Sequence, residues 1–181
     1  MANTVSAQPS IGITYSITDS RSDATLSEST AVTRSIVFSD GTGTGLVNMG
    51  MSASGYLPSG GFITKDFKSL TKTIFGSDII LDFTNVKGVV VGATWAGPSG
   101  SGIPSGYPVE NIPFLSINAT GSNGFTDLFN GETGNVHVGH RGSWSYVSFT
   151  GIPTSSTQRN INLLDSGSGI AYEMIAVGVT G

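Results

Sequence analysis

Short runs of β-branched and aromatic residues, each closed by Gly, Asn, Pro or Ser, recur along the whole chain and constrain its fold more than any other feature. Runs of strand length ended by turn residues roughly every 8–12 positions belong to two-sheet all-β folds, because each is too short for a packed helix and offers one face to bury. Two uninterrupted apolar cores, Ile79-Ile80-Leu81 and Val89-Val90-Val91, lie within residues 62–95 and read as buried strands, with a tight bend over 85–88 between them. Ile11, Ile13, Tyr15 and Ile17 alternate with small polar residues, the period of a strand with one buried face. Further strands are expected over 32–38, 46–51, 112–118, 136–140, 144–150, 161–164 and 170–179, with Pro113 marking an edge or a strand start. The last of these, IAYEMIAVGV, is the longest, and Glu173 is its single charge. Residues 62–74 pull two ways. Ile63, Phe67, Leu70 and Ile74 fall at helical spacing while the Thr-rich composition favours a strand, and a short helix or irregular segment is the expectation.

Between the strands, residues 19–30 and 54–61 read as polar loops. The run Ser39-Asp40-Gly41-Thr42-Gly43-Thr44-Gly45 reads as a hairpin turn, since Asp-Gly and alternate glycines permit positive φ. A phosphate-binding loop would need a Gly-Lys-Ser/Thr ending and a following helix, and this run has neither. Asn123-Gly124 and Asn130-Gly131 are two more turn signals. Residues 96–108 form a long Gly/Ser/Pro loop with similar composition on both sides, so it reads as a surface loop within one domain. The expected architecture is all-β: a single β-sandwich, jelly-roll-like, with long Gly/Ser/Pro loops and at most one short helix. Residues 1–10 form an N-terminal arm and 11–181 the domain, a length that buries roughly 70% of its unfolded surface.

Charged residues make up 11% of the chain, less than half the ~25% of ordinary soluble domains, and Ser, Thr, Asn and the 26 glycines take their place. A weakly charged surface promotes association, which suits a protein that works packed against other subunits. The net charge of −4 and the scattered basic residues argue against a nucleic-acid partner, which needs a clustered positive surface. There is no cysteine, hence no disulfide framework or thiolate metal site. The charge-free windows 41–64 and 88–109 are too rich in Gly, Ser and Pro to cross a membrane, and the first ten residues lack the pattern of a signal peptide.

No constellation supports catalysis, and no cofactor or metal is expected. His137 and His140 would point to opposite faces of a strand and cannot share a metal. Asp78 and Asp82 would sit on one strand face about 13 Å apart, too far for a paired-carboxylate device. Asp82 is instead expected to pair with Lys87 at the surface, worth at most ~1 kcal/mol. No serine occupies a strand-to-helix nucleophile elbow. Asn118-Ala119-Thr120 is a glycosylation sequon that matters only in a eukaryotic secretory setting. Trp144 and Tyr146 share a strand face and read as core. Tyr56, Trp95 and Tyr107, in or beside neutral loops, are the candidate interface residues, with loop packing and a glycan platform as the other readings.

Several motifs fall in a telling order: Ile36-Val37-Phe38-Ser39-Asp40-Gly41-Thr42-Gly43, then Asp66-Phe67-Lys68-Ser69-Leu70 and Phe75-Gly76. Phe83 and Val86-Lys87 lead into the Val-rich strand, and Asn162-Leu163-Leu164-Asp165-Ser166-Gly167-Ser168-Gly169 leads into the final strand with Ala176-Val177-Gly178. Over residues 30–95 and 125–179 the chain resembles small β-rich virion proteins encoded among the structural genes of tailed bacteriophages. That resemblance implies a capsid decoration (cement) role, made in the host cytoplasm and located on the virion, without enzymatic activity. Its implied partners are the major capsid protein and copies of itself, as a homotrimer. The alternative is a receptor- or glycan-binding β-sandwich on the tail or capsid surface.

Overall fold

The computed structural model describes residues 10–20, 25–35, 38–74, 77–97, 105–108 and 111–180. Most of the expected N-terminal arm and residues 98–104 of the long loop therefore lie outside the described residues.

The described residues form fourteen strands: β1 (Ser10–Ser20), β2 (Thr25–Ser35), β3 (Ser39–Asp40), β4 (Leu46–Val47), β5 (Met49–Leu57), β6 (Phe62–Asp66) and β7 (Leu70–Ile74), then β8 (Ser77–Leu81), β9 (Asn85–Thr94), β10 (Leu115–Asn118), β11 (Val136–Val138), β12 (Ser143–Pro153), β13 (Asn160–Asp165) and β14 (Ile170–Val179). Eight of them build two four-stranded antiparallel sheets, ordered β12-β9-β14-β5 and β11-β10-β13-β6. The pairing is nested: β5 with β14, β6 with β13, β9 with β12, and β10 with β11. A chain paired this way is one long hairpin rolled up so that successive pairs fall in alternate sheets, which is a jelly roll. The sandwich expected from the sequence is the sandwich observed.

Alternation explains the core. In β14, Ile170, Tyr172, Met174 and Ala176 are buried while Glu173 and Ile175 are exposed. Val89, Val91 and Ala93 of β9 and Leu115, Ile117, Ile161 and Leu163 of the opposite sheet meet them between the layers. Phe67 closes one end, edge-on to Phe83 and Phe125 with ring centroids 6.2 and 5.6 Å away. Lys65, at a core-facing register on the edge strand β6, lays its ammonium 5.2 Å from the Tyr172 ring centre and so links the two sheets.

Several expectations need correction. Residues 62–74 form no helix: they are β6 and β7 joined by a turn at 67–69, because each strand finds a partner, β6 on β13 and β7 on β8. Residues 85–88 are not a bend but the first half of β9, with a register shift on the β14 side at Val177/Gly178. The loop expected over 54–61 begins only after Leu57, and much of that expected over 19–30 belongs to β1 and β2. Ile80 lies in a strand, but β7 and β8 form a two-stranded outgrowth between β6 and β9, leaving Ile80 65% exposed. Of the two readings of Pro113, the edge fails, since β10 is an inner strand, and the strand start fits, since Pro113 lies just ahead of β10.

The glycine-rich run is no hairpin either. β3 and β4 pair in parallel, and the intervening loop curls back, with Gly41 at φ +138° and Gly45 at φ +72°. Tertiary contacts decide this shape: Gly45 N–H donates to the carbonyl of Phe149 in β12 (2.9 Å), and the Lys87 ammonium donates to the carbonyls of Gly43 and Leu46.

Candidate functional site

The outer face of the β12-β9-β14-β5 sheet is covered at one end and open over the rest. On the β12-β9-β14-β5 sheet, the registers align the outward residues in cross-strand rows. Tyr56, Ala171 and Thr94 form the first row, and Ser54, Glu173, Gly92 and Ser143 the second. Ser52, Ile175, Val90 and Ser145 form the third, and Gly50, Val177, Gly88 and Val147 the fourth. The fourth row is roofed. Phe38 and Val47, both fully buried, pack with Val177 and Val147 into a second small core on the outside of the sheet.

Lys87 secures that roof. Its side chain is 2% exposed, and its ammonium is held by backbone carbonyls, that of Leu46 at 2.7 Å. Burial pushes its pKa below the usual lysine value. The expected surface pair with Asp82 is thus absent; Asp82 instead meets Lys68 at 2.8 Å, a half-exposed contact worth at most ~1 kcal/mol. The sequence signal missed was the position of Lys87 in a Val- and Gly-rich strand, where a lysine needs its own acceptors.

The other three rows are open. The second and third rows line a shallow trough of about 420 Å³ floored by Ser52, Ser54, Val90, Gly92, Ser143 and Ile175, while Tyr56, Ala171 and Thr94 of the first row border a separate hollow with Trp95 and Gly169; Glu173 is the single charge in the three rows. Ile175 is 53% exposed and Tyr56, in the first row, 65%. Small side chains here leave the backbone close to the surface, so an incoming partner meets a nearly flat, weakly polar floor.

Of the three candidate aromatics, only Tyr56 stands free of the core. Trp95 is 3% exposed and packs within the main core, against the half-buried Tyr107 at 5.4 Å between ring centres, while its backbone N–H donates to His140 Nδ1. The three therefore make no common exposed platform, because the end of β9 carries Trp95 inward, in register parity with Val91 and Ala93. His137 is exposed and stacks on Phe114 with ring centres 4.1 Å apart, on a different strand end from the role taken by His140. Among the described residues, no group of three or more His, Asp or Glu comes together. Asn118 of the sequon accepts from Thr120 and from Asn162 Nδ2, within the β10–β13 pair.

A second polar device went unread in the sequence. Asp165, 7% exposed, accepts from the backbone N–H of Gly60 (3.1 Å), Gly167 and Gly169 (both 3.0 Å) through one carboxylate oxygen. These donors belong to the β5–β6 and β13–β14 turns, which nested pairing brings side by side, so one side chain fastens two crossings between the sheets. Its only sequence trace is Asp followed by Ser-Gly-Ser-Gly, a pattern for a side chain that bonds its own turn.

No family model matches the chain, and no curated protein matches it. Among solved structures it is similar to the Yersinia pseudotuberculosis-derived mitogen at 8% identity and a TM-score of 0.32, over 74% of this chain and 87% of that one. A likeness at that level carries no argument about function.

Proposed function

We propose that this protein is a non-catalytic structural component of a tailed-bacteriophage virion, a capsid decoration protein that binds the major capsid protein as a homotrimer on the virion surface. The observation that carries this reading is the open face of the β12-β9-β14-β5 sheet, where three rows hold one charge and two exposed large apolar or aromatic residues. Such a face suits protein subunits better than free solution, because burying it removes apolar area from water and strands only one ion. The motif resemblance supplies the biological setting. A protein that binds an assembled shell better than its free subunits stabilises the shell by mass action.

The test uses capsids of the encoding phage. Added protein is expected to co-sediment with them and to raise their thermal disassembly temperature, and native particles are expected to contain it by mass spectrometry. Absence from purified particles, with no binding to capsids, would remove the proposal. The glycan-binding alternative draws no support from aromatic placement, since Trp95 is buried and Tyr107 lies against it.

A further inference from the structure

We infer that Asn130 is a site of covalent self-modification: in the folded protein its side-chain amide is lost to attack by the backbone nitrogen of Gly131. The residue then becomes aspartate or isoaspartate. The reaction needs an asparagine followed by a residue whose amide nitrogen is unshielded, and glycine, without a Cβ, shields it least. Two asparagines of the chain precede glycine, Asn123 and Asn130. Both mark turns, and the fold treats them in opposite ways.

Asn123 is half-buried, and its side-chain amide, oriented by the surrounding acceptors, donates to the carbonyls of Ser156 (3.1 Å) and Ser122 (3.2 Å). Its own carbonyl accepts from the backbone N–H groups of Arg159 and Asn160, at 3.2 and 2.9 Å. Gly124 is buried, its N–H donates to the carbonyl of Gly121 (3.2 Å), and a Cβ there would stand 1.7 Å from the carbonyl oxygen of Ala119. The reacting carbon and nitrogen are both held. Asn130 instead ends the single 3-10 turn Thr126–Phe129 in the left-handed conformation (φ 60°, ψ 39°), and both it and Gly131 are exposed. Among the described residues its side chain has no hydrogen-bond partner. A Cβ at Gly131 would meet nothing within 4 Å, so water reaches the reacting atoms. One contact opposes the attack: Gly131 N–H donates to the carbonyl of Thr126 across 3.0 Å. It belongs to one surface turn, the kind of contact that opens locally without global unfolding.

With that turn open, water takes the Gly131 amide proton and the nitrogen attacks Asn130 Cγ. The N–Cγ bond forms, the Cγ–Nδ2 bond breaks, and Nδ2 leaves as ammonia with the proton returned by water. A second water opens the cyclic imide at either carbonyl, giving aspartate from one and isoaspartate from the other. The balance is water in and ammonia out, with no oxidation. Each event adds one negative charge to a chain of net charge −4, between Asp127 and Glu132. None of this depends on the virion reading.

The test uses the full wild-type chain, folded and in urea, held at mildly alkaline pH. Mass spectrometry with electron-transfer fragmentation follows Asn123 and Asn130 separately. In the folded protein Asn130 should react at least about tenfold faster than Asn123, whereas in urea the two should agree within about twofold. Anion exchange should resolve an acidic species that Asn130→Gln does not form, because the longer side chain closes its imide far more slowly. Equal rates at the two sites in the folded protein would overturn the inference. So would an Asn130 that reacts only in urea, or the same yield of acidic species from Asn130→Gln.

Discussion

Lys87 Nζ donates to the carbonyl of Leu46 across 2.7 Å, joining a buried lysine in β9 to the first residue of β4, 41 positions earlier. This contact, with the one to Gly43, is what holds the β3–β4 loop against the outside of the sheet. The ammonium is anchored by neutral carbonyls, and its pKa lies below the ordinary 10.5 because burial penalises its charge.

A pH dependence follows from this. In the window between the lowered folded pKa and 10.5, the unfolded chain holds more protons than the folded one, so this group makes stability rise with pH there; below the folded pKa its penalty is complete and constant. Lys87→Met lacks the term. Urea unfolding at pH 7, 9 and 10 should show the stability difference, wild type minus variant, increasing with pH. A flat difference would mean that the buried charge is not penalised.

Asp165→Ala should remove about 2–3 kcal/mol, since it leaves backbone donors of two turns without their acceptor. Asp165→Asn, which keeps one accepting oxygen, should lose less. Denaturant midpoints at unchanged slope are the readout; equal effects of the two substitutions would show that the turns do not depend on this acceptor.

Phe67 meets two rings at the end of the core, and Phe67→Ala should cost about 3–5 kcal/mol by the cavity it leaves. Phe67→Leu should recover more than half of that loss. Thermal unfolding by calorimetry measures both, and a loss below 1 kcal/mol for the alanine would contradict the packing described.

Two glycines of one sheet should respond oppositely to alanine. A Cβ on Gly178 would stand 2.1 Å from the Asn85 carbonyl oxygen, whereas one on Gly92 would have its nearest neighbour at 3.9 Å. Gly178→Ala should destabilise by about 2–4 kcal/mol through this overlap. Gly92→Ala should be neutral or stabilise by about 0.5 kcal/mol, because it restricts the unfolded chain without a clash. The same unfolding midpoints compare them.

Much of the sandwich was legible. The boundaries of β14 matched the apolar run 170–179, and β13 and the core half of β9 lay where β-branched residues cluster, because alternation is a local property of the chain. The candidate site was far less legible. Tyr56 was singled out, but the face beside it consists of Ser, Gly, Val and a lone Glu whose importance lies in alignment across four strands. Trp95 carried an interface signal by its place at a loop, and packing turned it inward.

By itself, the sequence determined the class of fold and its sparse surface charge, since period-two patterning and turn chemistry act over a few neighbouring residues. Only the tertiary structure decided which strands pair, that Lys87 is buried, that Asp165 fastens two turns, and that the glycine-rich run closes a parallel pair. The Lys87, Asp165 and glycine-rich-run outcomes depend on partners from about 40 to more than 100 residues away, brought close by the nested pairing of the jelly roll, and no local pattern encodes them.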